Sequence, residues 1–238
     1  MLHMILTDFD GTLFSKENGS LEDAFVQKIK NLTDCGTVFA INSGRPYHTL
    51  RSMLKELEGR TVFICNDGAQ IMYKNCLIYK HPIETKQANT VICAALKNGM
   101  TVFAALRERT EPITTEVMGK KGLFGQDIFK LIITKNKANS KAVENVKQTA
   151  HQHKLRTCFE DDIYLEFCAA EANKGNATAY FKKRFSINNN IAAFGDGEND
   201  IPMFDESDMN YVIENKSGFY YSGAKLIQNM QEFVSENF

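Results

Sequence analysis

From Met4 to Ile64, short apolar runs alternate with longer amphipathic stretches. This is the pattern of βα units in a parallel sheet, and it narrows the folds open to the chain more than any other feature. Met4 to Leu6 reads as a first buried strand. Leu21, Phe25, Ile29 and Leu32 recur at helical spacing behind Ser20, a suitable N-cap, and Gly36 stops that helix. Thr37 to Ile41 gives a second strand. Pro46 suits the first turn of a helix with Leu50, Met53, Leu54 and Leu57 on its apolar face, and Val62 to Ile64 gives a third strand.

The alternation then breaks. Two short apolar segments between Gln70 and Tyr79 flank Lys74-Asn75 and read as a hairpin. From His81-Pro82 to about Phe167 the order is helix, strand, strand, helix, strand, strand. The helices fall near Glu84–Asn98 and Ser140–His153, the strands near Thr101–Leu106, Ile128–Thr134, Arg156–Glu160 and Ile163–Phe167, and Gly119 to Gly125 forms a loop. The βα alternation resumes with a helix from about Ala177 to Lys183, a strand Ile191 to Phe194, a helix after Gly195 and a strand Tyr211 to Ile213. The fold class predicted is α/β: a Rossmann-like parallel-sheet core split into residues 1–81 and 171–238, with an α+β cap domain inserted at 82–170.

Composition excludes several classes. With 43% hydrophobic and 24% charged residues in 238, a packed core is expected rather than disorder. A net charge of −1 with interspersed signs leaves no footprint for nucleic acid or a membrane, so the expected partner is a small molecule, and the chain is read as a monomer or weak homodimer. The six cysteines, Cys35, Cys65, Cys76, Cys93, Cys158 and Cys168, form no C-x-x-C pair and no tight cluster in sequence. They read as small buried hydrophobes in a reducing compartment. The N-terminal residues do not form a signal peptide and no apolar run approaches the ~18 residues of a membrane span, which predicts a cytoplasmic protein.

Carboxylates mark where the strands end. Asp8 and Asp10 stand two residues apart where the first strand runs into Gly11, and an i, i+2 pair in extended backbone faces one side, so both can address one ligand or cation. Ile191-Ala-Ala-Phe-Gly195-Asp196-Gly-Glu-Asn199-Asp200 is another buried strand ending in glycine and acids, and parallel strands bring both ends to one sheet edge. Such an edge offers the hard oxygen ligands that Mg²⁺ prefers, and a cation relieves the mutual repulsion of the acids. Ser43-Gly44-Arg45 follows the second strand, where Ser43 serves equally as a phosphate contact or an ordinary helix cap. Lys174 precedes a helix of the resumed core and is placed either to balance phosphate charge or as a solvated lysine.

Together these segments resemble the haloacid dehalogenase superfamily of phosphohydrolases: D-x-D-G-T-L at Asp8–Leu13, a hydroxyl residue then Gly-Arg at Ser43–Arg45, Lys174-Gly175, and G-D-x-x-N-D at Gly195–Asp200. The insert resembles the large α/β (type C2B) cap of the Cof-type branch. The resemblance implies a phosphoric monoester hydrolase with Asp8 as nucleophile and Asp10 as acid and base. It implies Mg²⁺ on the Asp8 carboxylate, the Asp10 backbone carbonyl and the Asp196 carboxylate, with Asp200 standing behind these ligands. Ser43, Gly44, Lys174 and Asn199 would grip the phosphoryl oxygens, and Arg45 would orient substrate or form a surface ion pair. The substrate expected is a small phosphorylated metabolite, a sugar phosphate foremost. A phosphosugar mutase, and a catalytically silent binding protein, stay open as alternatives. Asn66-Asp67-Gly68-Ala69 departs from the family's Asn-Gly-Ala, so Asp67 puts an extra acid near the cleft or in a turn. Lys120 and Lys121 are candidate substrate contacts or a solvated basic loop, and His151 and His153 read as surface residues.

Overall fold

The computed structural model describes residues 2–14, 20–114, 125–136, 138–214 and 218–238. In chain order its strands are β1 (Met4–Thr7), β2 (Val38–Asn42), β3 (Val62–Cys65), β4 (Gln70–Tyr73), β5 (Cys76–Lys80), β6 (Thr101–Ala105) and β7 (Thr110–Ile113). They continue with β8 (Lys130–Thr134), β9 (Leu155–Glu160), β10 (Tyr164–Ala169), β11 (Ile191–Gly195), β12 (Met209–Ile213) and β13 (Lys225–Ile227). Among the described residues these form two sheets, one ordered β13-β12-β11-β1-β2-β3-β4-β5 and one ordered β7-β6-β8-β10-β9. From β13 to β3 the large sheet is parallel, and the β4–β5 hairpin closes its edge antiparallel. Strand β1 lies at its centre, with Met4 registered against Ile191 on one side and Val38 on the other.

The unbroken apolar runs follow from cover on both faces. Ile5, Phe39, Ile41, Phe63 and Phe194 point into one core, while Met4, Leu6, Ala40, Val62 and Ala193 point into the other. The first core is roofed by α1 (Asp23–Asp34) and α2 (Tyr47–Met53). The small sheet buries Val102, Leu131 and Leu165 with α3 (Thr85–Lys97) and α4 (Ser140–Gln152), which contribute Val91, Ile92 and Val146. The remaining helices, α5 (Lys174–Phe185), α6 (Ile201–Phe204) and α7 (Met230–Asn237), belong to the C-terminal third of the chain. Among the described residues no helix is long and apolar enough to cross a membrane.

Several details correct the sequence reading. Helix α1 begins at Asp23 behind Glu22, so Ser20 caps nothing. Pro46 is the extended N-cap of α2 rather than part of its first turn, with ψ 151°. Strand β7 is additional; it sits at a sheet edge, where Pro112 costs no ladder donor. The helix after Gly195 is a 3₁₀ turn, Glu198–Asp200, running into the short α6. Strand β13 and helix α7 extend the large sheet and its cover beyond the predicted elements. The hairpin reading holds, with Lys74 at φ 48° and Asn75 at φ 62°, the left-handed pair of a type I′ turn. Gly119, Lys120 and Lys121 lie outside the described residues.

Candidate active site

Parallel strands deliver their C-terminal ends to one edge, and here that edge gathers Asp8 after β1, Asn42 at the end of β2 with Ser43 following, Asn66-Asp67 after β3 and Asp196 after β11. The Asp8 amide donates to the Phe194 carbonyl at 2.9 Å, which ties the first acidic turn to the last. Beyond Asp8 the chain folds back sharply, with Phe14 N–H donating to Phe9 O at 2.7 Å, and the two buried rings stack at 5.1 Å. Gly11 makes the turn possible at φ +89°; a Cβ there would lie 2.3 Å from Asp196 Oδ2, so the turn and the Asp196 carboxylate share one space that only glycine leaves open.

Lys174 sits at the centre of the charge. It is the first residue of α5, and its ammonium lies 2.5 Å from Asp8 Oδ1 and 2.6 Å from Asp200 Oδ1, with all three side chains buried. The solvated-lysine reading is therefore wrong. Asp200 spends its second oxygen on the Asp196 and Gly197 amides, at 3.0 and 3.2 Å. It thus links the lysine to the loop that carries Asp196. Burial pushes the Asp8 carboxyl up to about 7; Lys174 opposes this, while Asp200 and Asp196 add to it. Burial works against the Lys174 charge as well, but Asp200 and Asp8 outweigh it and hold the ammonium above the ordinary lysine range. Both groups are shifted upward, which favours the charged lysine but the protonated acid, because Lys174 has two anions and Asp8 shares one cation.

The carboxylates of Asp8, Asp196 and Asp200 have ligand oxygens within 4.8 Å of one another. Three clustered acids, two of them on the buried Lys174 ammonium and all offering hard oxygen, fit Mg²⁺. Asp10 is not in that cluster. Its side chain is taken by Arg45, whose Nε and one terminal nitrogen reach the two Asp10 oxygens at 2.7 Å each, and the guanidinium lies 5.4 Å above the Phe9 ring. The surface ion pair is the arrangement seen for Arg45. Ser43 is buried and does not cap α2; its Oγ accepts from the Arg45 amide at 3.1 Å. Asn199 is exposed on the rim of a cleft of about 710 Å³ between the two sheets. Asp8, Asp10, Gly44, Arg45 and Asp196 line one wall of that cleft, and Ile132, Phe159 and Glu166 line the other.

The sequence reading missed several residues that shape this site. Asn42 Nδ2 donates to the Lys174 carbonyl at 3.1 Å and so fixes the first turn of α5. Lys130 is completely enclosed, 2.6 Å from Asp67 and 2.8 Å from Glu166. Burial disfavours its charge, but Asp67, helped by Cys158 and Glu166, holds it well above the ordinary lysine range. Burial would raise the Asp67 carboxyl, and Lys130 overcomes this and lowers it. A lysine inside the apolar run Ile128-Phe-Lys-Leu-Ile132 was the available signal. The cysteine reading also needs correction: Cys35, Cys76 and Cys93 are exposed, and Cys158 and Cys168 lie with their sulfurs 3.1 Å apart. His151 and His153 are an exposed residue and a half-buried helix cap, as predicted for surface positions.

Comparison with known proteins agrees with this geometry. The family model described as haloacid dehalogenase-like hydrolase matches residues 5–230. The chain belongs to the haloacid dehalogenase-like hydrolases, and its Cof-type character stands with that match. A relative from Buchnera aphidicola subsp. Baizongia pistaciae, named a phosphatase by inference, is 25% identical over 258 residues, covering 100% of this chain and 95% of its own length. The 5-amino-6-(5-phospho-D-ribitylamino)uracil phosphatase of Escherichia coli is 20% identical, covering 94% and 89%. The haloalkanoate-superfamily phosphatase BT1666 of Bacteroides thetaiotaomicron shares the fold at a TM-score of 0.77 and 20% identity, covering 98% of this chain and 92% of its own.

Proposed function

We propose that this chain is a Mg²⁺-dependent phosphatase that hydrolyses small phosphorylated metabolites, sugar phosphates foremost, through a phosphoryl group carried on Asp8. The observation that carries the reading is the Asp8–Lys174–Asp200 chain: a buried carboxylate at a strand end, with one oxygen on an ammonium and a second acid holding that ammonium in place. A carboxylate so fixed has lost the freedom that makes a solvated one a poor nucleophile. The relatives named as phosphatases support the same chemistry.

In this mechanism an Asp8 oxygen attacks phosphorus as the bond to the leaving oxygen breaks. Asp10 gives that oxygen a proton, then takes one from the water that attacks phosphorus and frees Asp8. Asp8, Asp196 and the Asp10 carbonyl would hold Mg²⁺, which would shield the approach of one anion to another. Lys174, Ser43, Asn199 and the Gly44 N–H stabilise charge on the transferring oxygens. Arg45 has two roles available. While its fork spans both Asp10 oxygens, neither is open to the leaving oxygen, so the guanidinium must turn to the substrate for Asp10 to act as an acid. The sheet carrying Phe159 and Glu166 faces the leaving group and sets substrate choice.

Inorganic phosphate release from sugar phosphates, nucleotides and an aryl phosphate, with and without Mg²⁺, tests the reading. Metal-dependent release that disappears in Asp8→Asn is the expected result. Release that survives in that variant, or none from any compound, defeats it.

A further inference from the structure

Lys130 opens β8 in the small sheet, yet its ammonium is spent largely on the opposite wall of the cleft. It donates to the Gly44 carbonyl at 2.7 Å and lies 2.6 Å from Asp67, with Glu166 of β10 at 2.8 Å. Gly44 O and Glu166 accept from it and Asp67 lies against its charge, so the ammonium is enclosed by these three groups rather than turned to the open cleft.

The Gly44 end of this contact is the one that bears on chemistry. Each carbonyl of Ser43, Gly44 and Arg45 has a donor: the Asp67 amide reaches Ser43 O at 3.1 Å, the Asn66 amide reaches Arg45 O at 3.0 Å, and Lys130 supplies the middle one. Peptide planarity makes a fixed carbonyl a fixed N–H across the same bond. The Asp67 contact thus orients the Gly44 N–H, and the Lys130 contact sets the plane of the next peptide. Gly44 has no side chain to anchor the turn, and a Cβ there would lie 3.3 Å from both Asp67 oxygens. The acid packs flat against the turn, and the lysine holds the acid. Arg156 of β9 adds to the same junction, donating to the carbonyls of Ala172 at 2.6 Å and Asp67 at 3.3 Å.

We propose that Lys130 is a positioning residue that couples docking of the small sheet to the shape of the Ser43–Arg45 turn: seated, the sheet fixes the Gly44–Arg45 peptide, whose N–H in turn donates to the phosphoryl-binding Ser43 Oγ. The catalytic consequence rests on the phosphatase reading; the coupling itself does not. It makes Lys130 matter equally for every substrate, unlike a residue that touches the leaving group.

Lys130→Met alone takes from the buried Asp67 carboxylate the one ammonium that touches it and is at risk of not folding. The comparison is therefore between Asp67→Asn, which keeps Lys130 on the Gly44 carbonyl, and the double variant Asp67→Asn/Lys130→Met. With p-nitrophenyl phosphate, whose leaving group is small, the double variant is expected to lose about 10-fold in kcat relative to Asp67→Asn while KM moves less than about 3-fold, since grip on the phosphoryl oxygens counts most in the transition state. Amide hydrogen exchange at positions 66 and 67 is expected to quicken about 10-fold relative to amides of β12. Equal kcat in the two variants, or equal protection at both amides, overturns the proposal. A wild-type protein that releases no phosphate defeats the phosphatase reading alone, and the exchange comparison then decides the coupling.

Discussion

Replacing Asp200 by asparagine keeps the shape of the side chain and changes two things whose effects can be worked out separately. In the wild type both oxygens accept: one from Lys174 at 2.6 Å, the other from the amides of Asp196 and Gly197. Asparagine offers one acceptor and one donor, so one end of the side chain must press an N–H against another donor. The loss of a charge-assisted bond, ~1.5–3 kcal/mol, and the burial of an unpaired donor, ~1–3 kcal/mol, together cost roughly 3–5 kcal/mol. For a chain of this size that is a fall in Tm of roughly 6–20 °C. The second effect is electrostatic. In the folded protein Asp8 takes up its proton more readily than the ordinary 3.8 of an aspartate, so its contribution to stability is complete below that value and is lost as pH rises to about 7. Repulsion from Asp200 is part of the cause, so Asp200→Asn should flatten the decline in stability between pH 4 and 7. Thermal unfolding followed by circular dichroism across pH 4–8 in EDTA reads both. A Tm within about 2 °C of wild type, or an unchanged pH slope, refutes the reasoning.

Two further outcomes follow from the same geometry. Gly11→Ala places a methyl against Asp196 Oδ2 in a backbone conformation that costs an L-residue roughly 1–2 kcal/mol, so a modest loss of stability should accompany a Mg²⁺ requirement shifted at least about 10-fold, measured by titrating phosphatase activity with the metal. At the proposed site Mg²⁺ would have to displace the Asp8 proton: apparent affinity, measured by calorimetry, should rise with pH up to about 7 and level off above it, with proton uptake by the buffer on binding at pH 6. A flat profile would show that Asp8 is ionised throughout.

What could be read from the sequence was whatever local pattern decides. Strands β1, β2, β3 and β11 were legible because a sheet covered on both faces demands unbroken apolar runs, and the acids of the site were legible because they stand where those runs end. Parallel pairing then implied that Asp8 and Asp196 meet, and β1 does lie beside β11. Features decided by neighbours distant in sequence were not legible. Strand β7 carries a proline tolerated only because the strand lies at an edge, and β13 is three residues long with Leu226 exposed. Lys130 was inside a predicted strand, but its partners Asp67 and Gly44 belong to the other sheet. The Cys158–Cys168 contact depends on a register shift between Glu166 and Phe167 that no periodicity announces.

The most direct test of the account is a search for phosphate on Asp8 itself. Enzyme mixed with Mg²⁺ and an aryl phosphate, quenched in acid within one turnover and digested, should yield the peptide spanning Asp8 heavier by one phosphoryl group, with fragmentation placing the mass on Asp8 and none on the same peptide of Asp8→Asn. Phosphate release without any such adduct, or an adduct on another residue, would contradict it.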